Sequence, residues 1–229
     1  TQVAGDNGYG HFSIGSDGVW TYDMDSAHNA FVDGQSYTDS ITVASADGTP
    51  QVLTVTITGS NDAAVIGGVS TAALSETDMA QTTGGSLTIS DVDSAEKFTP
   101  VVGQLGDNAY GSFSLSENGT WSYTMAQAWN AWPEGEVHTD TITVSAVDGT
   151  TQVITVTLTG TNDAPVLSAS TVVALANILE DAPAPSNGDS TAGQPVSDLL
   201  AALSDVDAGA DLGMAITGVN PNVTLYYST

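Results

Sequence analysis

Apolar and polar residues alternate with period two along much of this chain. Residues 111–115 read Gly, Ser, Phe, Ser, Leu, residues 121–125 read Trp, Ser, Tyr, Thr, Met, and residues 152–159 read Gln, Val, Ile, Thr, Val, Thr, Leu, Thr. Large apolar side chains fall on one face and Ser and Thr on the other, the pattern of an antiparallel sheet with one buried and one wet face. The alternation predicts strands near 65–75, 85–90, 98–103, 110–115, 119–125, 138–146 and 151–159. It lapses at Ser26 to Phe31 and at Gln127 to Trp132, where a short helical turn is expected, and a further short helix is expected over 197–203. Asp17-Gly18, Asp47-Gly48, Asn118-Gly119 and Asp148-Gly149 predict tight hairpins of type I′, which need positive φ at both central residues.

The pattern is written twice. Residues 9–66 return without a gap as residues 110–167, an offset of 110 − 9 = 101, and 31 of the 58 paired positions are identical. A period of about 100 residues is too long for a solenoid rung and fits one β-sandwich. The fold class read from this is all-β, with tandem immunoglobulin-like or cadherin-like antiparallel sandwiches. Residues 1–65 are then the closing half of one sandwich, 66–166 a complete one, and 167–229 the opening half of another. Ser204-Asp205-Val206-Asp207 in the last segment echoes Ser90-Asp91-Val92-Asp93, with an insertion near Asp181 to Pro195. Trp20, Tyr22, Trp121 and Tyr123 are expected to be core anchors.

Charge narrows the partners. One Lys, no Arg and 27 acidic residues give a formal net charge of −26, which excludes phosphate-neutralising nucleic-acid binding and disfavours anionic lipid surfaces. With 41% hydrophobic residues in register, the chain is folded rather than disordered. There is no cysteine, hence no disulfide or thiolate metal site, and no run long enough to cross a membrane. Export would be directed from sequence outside this chain.

Catalytic signals are nearly absent, and no enzyme activity is expected. His11, His28 and His138 fall where the other copy has Ser112, Trp129 and Tyr37, and Asp23 and Asp25 fall where it has Thr124 and Ala126. Acids at the strand ends form a different pattern. An odd strand count carries the chain from one end of each sandwich to the other, so the closing acids of one domain meet the opening acids of the next. This predicts two junctions. In the first, Asp39, Asn61 and Asp62 face Asp91, Asp93 and Asp148; in the second, Glu76, Asp140, Asn162 and Asp163 face Asp205 and Asp207. Ca²⁺ needs six to eight hard oxygen ligands, and such junctions can supply them.

The runs YGSFSLSENGTWSYTM, HTDTITVSAVDGT and ITVTLTGTNDAPV resemble the VCBS repeat of large bacterial RTX-type surface adhesins, a relative of cadherin-like domains. The resemblance covers residues 9–66 and 67–167. It implies a secreted or cell-surface, calcium-stiffened extender acting in adhesion and biofilm formation. The alternative reading is a polysaccharide-binding module, with Trp129, Trp132 and Pro133 as a stacking surface. A third expectation concerns assembly: the opening half at 168–229 of one chain could complete the closing half at 1–65 of the next, giving a head-to-tail fibre.

Overall fold

The computed structural model describes residues 2–168 and 200–213. Their described parts gather into two compact units, one built from 1–72, 82–126 and 139–156, the other from 73–81, 127–138 and 157–229.

Three short strands open the chain: β1 (Gln2–Ala4), β2 (Gly10–Ile14) and β3 (Trp20–Met24) form one antiparallel sheet in that order. The long pair β4 (Ser36–Ala44) and β5 (Pro50–Thr58) runs in unbroken register from Ser36 opposite Thr58 to Ala44 opposite Pro50. The next repeat adds β6 (Val65–Gly68), β7 (Thr71–Ser75), β8 (Thr82–Ser90), β9 (Val101–Leu105), β10 (Gly111–Leu115), β11 (Thr120–Met125), β12 (Val137–Ser145) and β13 (Thr151–Thr159). They form two sheets, β6-β8-β11-β10-β9 and β12-β13-β7, an all-β immunoglobulin-like sandwich. Finally β14 (Val166–Leu167) pairs with β15 (Leu203–Ser204). The helix expected over 197–203 lies partly outside the described residues, and its end at Leu203 is strand.

The period-two reading of the core holds. On β11, Trp121, Tyr123 and Met125 point inward, joined by Phe113 and Leu115 of β10 and by Leu87, Phe98, Ile142, Val144, Ile154 and Val156. Trp121 lies against Gly85, where a Cβ would come within 3.0 Å of the indole, and its Nε1–H donates to the Val69 carbonyl at 2.7 Å. Side-chain-free backbone at Gly85 is what lets so large a ring lie flat on the neighbouring strand. The twin Trp20 is 42% exposed, against 2% for Trp121, because no strand pair of the β6–β8 kind covers it among the described residues. Only half of the expected anchoring by these tryptophans is therefore realised.

Three local expectations are corrected. The strand expected over 65–75 is two strands in different sheets. At the end of the first of them Gly68 takes φ +86°, and a Cβ there would lie 2.5 Å from the Ser86 carbonyl. The hairpins are not type I′: Gly18, Gly48, Gly119 and Gly149 have positive φ, whereas the Asp or Asn before each does not. At the first such turn in the sandwich, Gly119 N–H donates to Ser116 O and Ser116 N–H to Thr120 O, a turn closed by a glycine bulge. The segments at Ser26 and Gln127 are not helical turns either. Each carries a single tight turn, Phe31 N–H to His28 O and Trp132 N–H to Trp129 O, entered by a residue at positive φ. Aromatic stacking holds them: His28 on Phe31 on Tyr37 in the first copy, Trp129 on Trp132 on His138 in the second.

Candidate metal centres

The predicted site residues divide into two groups with different chemistry. Asp39 and Asp140 are wholly buried. The Asp140 carboxylate accepts the N–H of Asn108 (2.9 Å) and of Gly111 (3.1 Å) and the Tyr123 hydroxyl (3.1 Å). Asp39 accepts the N–H of Asn7, Tyr9 and Ser40 and the Tyr22 hydroxyl, at 2.9 to 3.1 Å. Burial pushes the Asp39 carboxyl up, but these four donors outweigh it and hold it below the ordinary carboxylate range. The loops carrying the donors approach so closely that a Cβ on Gly5 or Gly106 would lie 2.2 Å from the carboxyl group. Asp39 and Asp140 thus hold loops of their own repeat, at Asn7 to Tyr9 and Asn108 to Gly111, onto their strands. Burial pushes the Tyr22 hydroxyl up to about 12, and the adjoining carboxylate acts in the same direction.

The other acids do assemble. In the first junction, within the first unit, Asp91 Oδ1 accepts the N–H of Asp93 (3.0 Å) and Ser94 (2.8 Å). Across the linker, Asp93 Oδ2 accepts Asp62 N–H (3.2 Å) and Asp148 Oδ2 accepts Ala64 N–H (2.9 Å). Asn61 reaches both sides, its Oδ1 accepting the Ser94 hydroxyl at 3.4 Å while its side chain bonds Asp148. The second junction, within the second unit, repeats the arrangement. Asp207 N–H donates to Asp205 Oδ1 (3.0 Å), and Asp163 N–H donates to Asp207 Oδ2 (2.9 Å). Glu76 joins them, anchored by the Thr161 hydroxyl on Oε2 at 2.9 Å. Asn162 is exposed, and its side-chain amide donates to the Asp163 carbonyl.

Sequence reasoning missed one member. The Asp78 carboxyl lies within hydrogen-bond reach of Asp163 and also accepts from Asn130. At the 101-residue offset the first-copy position equivalent to Asp78 precedes residue 1, so the repeat could not flag it; only its spacing of two from Glu76 pointed there.

Electrostatics mark both clusters. Desolvation, the Asp78 carboxyl and the charges of Glu76 and Asp207 push Asp163 up to about 6. Desolvation and Asp91 likewise raise Asp93, while Asp91 is lowered by the N–H of Asp93. Among the described residues no three acidic or His side chains already converge in metal-holding geometry. The donor set nevertheless fits a hard cation. Glu76 (1% exposed), Asp93 and Asp207 (8% each) each keep one buried carboxylate oxygen with no hydrogen-bond partner, as do Asp91 and Asp163. A buried, unpaired, charged oxygen is costly, and a cation ligated by several of them removes that cost.

The aromatic stack offers less. Trp132 has its faces against Trp129 and His138, at 5.0 and 4.1 Å between centroids, so these rings are spent largely on one another. No described helix is long and apolar enough to cross a membrane.

A search of curated proteins found no match. Residues 61–160, which begin with the linker acids of the first junction and contain the whole of β6 to β13, match the family model of the bacterial cadherin-like domain.

Proposed function

We propose that this chain is a calcium-stiffened extender segment of a bacterial surface or secreted adhesin, carrying no catalytic site and serving adhesion and biofilm formation. A bacterial cadherin-like domain over 61–160 is consistent with such a module. The observation that carries the reading is the set of five buried carboxylate oxygens without partners, all at the two places where one repeat hands over to the next. When bound there, calcium would supply charge neutralisation. Asp91, Asp93, Asp148, Asp62 and Asn61 would hold it at the first junction, and Glu76, Asp78, Asp163, Asp205 and Asp207 at the second. The chain's own part is to fix linker and loops to each other through the Asp62–Asp93 and Asp163–Asp207 contacts.

Small-angle scattering with calcium and with chelator tests this. Calcium should lengthen the particle and narrow its distribution of dimensions, with circular dichroism unchanged. Identical scattering in both conditions would remove the proposal. Polysaccharide recognition is the outcome favoured if the isolated chain gives calcium-independent signals on a glycan array.

A further inference from the structure

We propose that Asn118, at the tip of the β10–β11 hairpin, is an attachment site for an N-linked glycan, and that the first sugars of that glycan lie in the groove beside β9. The inference is independent of the calcium reading and concerns a different face of the central repeat.

Asn118-Gly119-Thr120 is an Asn-x-Thr triad, the acceptor pattern for a sugar on a side-chain amide. The triad alone is a short match, and the turn that carries it says more. Asn118 Oδ1 accepts the Thr120 N–H at 3.0 Å and the Ser116 hydroxyl. The same turn recurs at Asp17, Asp47 and Asp148, where one carboxylate oxygen accepts the N–H two residues on, from Val19, Thr49 and Thr150. One side-chain oxygen is all the turn uses, so the Asn118 amide nitrogen is surplus to the fold. Nδ2 makes no hydrogen bond among the described residues, and Asn118 and Thr120 are both exposed. A sugar on Nδ2 leaves both bonds to Oδ1 in place. Attack of the Gly119 nitrogen on the Asn118 side chain, with loss of ammonia, would compete for the same residue. It is opposed here because the Gly119 N–H is held by Ser116 O at 3.0 Å and Gly119 is buried against the Leu87 carbonyl and Phe98.

A groove adjoins the turn. β9 slips register against β10 between Phe113 and Leu115, Gly103 takes φ +60°, and its N–H donates to Ser114 Oγ at 3.0 Å. This irregularity leaves Val102 89% exposed, beside a groove of about 500 Å³, a size that suits a small ligand. Pro100, Val101 and Val102 contribute an apolar wall, and Ser114, Thr120 and Ser122 contribute hydroxyls. Sugar rings present C–H bonds on their faces and hydroxyls at their rims, and this lining meets both. Ser116 and Glu117 also line the groove, so a glycan rooted on Asn118 starts at its mouth.

Attachment forms a bond from Nδ2 to the anomeric carbon of a sugar carried on a phosphate donor, as the bond from that carbon to the phosphate oxygen breaks. The phosphate leaves with the electron pair, and the transferring enzyme takes one Nδ2 proton.

The first copy supplies matched controls, since Asp17 and Val19 stand where the second has Asn118 and Thr120. The experiment is site-resolved mass spectrometry with hydrogen exchange on the full chain, isolated from the cells that make it, for the wild type, Asn118→Asp and Thr120→Val. Both substitutions introduce the residues that close the equivalent turn of the first copy, and urea unfolding checks that each variant folds. The expected result is a glycan on the peptide spanning Asn118 in the wild type, its complete loss from both variants, and slower exchange over residues 101–105 in the wild type than in either. An unmodified Asn118 overturns the inference. So does a glycan confined to the chain's other Asn-x-Thr triad, Asn222-Val223-Thr224, or conversion of Asn118 to aspartate or isoaspartate. A glycan on Asn118 with unchanged exchange over 101–105 overturns its seating in the groove. None of these results bears on the calcium reading.

Discussion

Truncating Trp121 to Ala should be the most damaging single change in the central repeat. The indole is 2% exposed and lies on Gly85, whose lack of a side chain leaves nothing to slide into the space. Large-to-small changes of this kind cost about 3–5 kcal/mol, and the Val69 carbonyl that accepts Nε1–H at 2.7 Å loses its donor, worth about 1 kcal/mol more. A loss of about 4 kcal/mol or more is therefore expected, equivalent to a fall of roughly 20 °C in midpoint for a domain of about 100 residues. Trp20→Ala is the matched control. The same residue at the same repeat position is 42% exposed, so its removal should cost about 1–2 kcal/mol. Urea unfolding of both variants, with calcium and with chelator, measures the two losses. A loss below about 1 kcal/mol for Trp121→Ala, or equal losses for the pair, would refute the packing argument.

Calcium should raise the thermal midpoint of the chain clearly and magnesium hardly at all, because a many-oxygen junction suits the larger, less geometrically demanding ion; differential scanning calorimetry decides, and equal effects would count against the ligand assignment. Asp163→Ala should loosen the second junction in calcium without loss of strand signal in circular dichroism, since it removes a carboxylate beside Asp78, Glu76 and Asp207 and leaves the Asp163 N–H bond to Asp207 and the core side chains in place. Asp140→Ala should behave in the opposite way, destabilising the central repeat by roughly 3 kcal/mol regardless of calcium, because it strands the buried Gly111 N–H and Tyr123 hydroxyl and the part-buried Asn108 N–H. Asp39 titrates below its ordinary 3.8, so its contribution is complete above that value and is lost as pH falls through the lowered one. Chelated wild type should accordingly show an acid limb below about pH 4 that Asp39→Asn flattens, as read by fluorescence-detected unfolding.

Much of this architecture was legible because the signals were local and doubled. Period-two alternation located β10, β11 and β13, and the 101-residue offset marked Trp121 and Trp20 as equivalent. What the pattern could not show was burial supplied from elsewhere: whether a strand pair covers a given tryptophan depends on partners distant in sequence. The same limit explains Asp39 and Asp140. An acid at the start of a long strand looks like a rim residue until the loop from Gly106 to Tyr110 is seen to fold its N–H groups onto it. The paired linker and Asp-x-Asp motifs were readable because both ends of each contact recur. Asp78 was not, since the repeat offers no second copy of its position for comparison within residues 1–229. The turns misled for a conformational reason: Asp-Gly and Asn-Gly serve type I′ hairpins and glycine bulges equally well, and only the φ of the first residue separates them.

The Asp39 and Asp140 closures bear on how such a chain can be loaded and unloaded. In a polymer with a single lysine, these two interior charges are met by backbone N–H groups and a tyrosine hydroxyl. If the proposed calcium reading holds, withdrawing the ion would act on the linkers and leave these closures intact. Such a segment would then stiffen and relax without paying again the conformational entropy of folding.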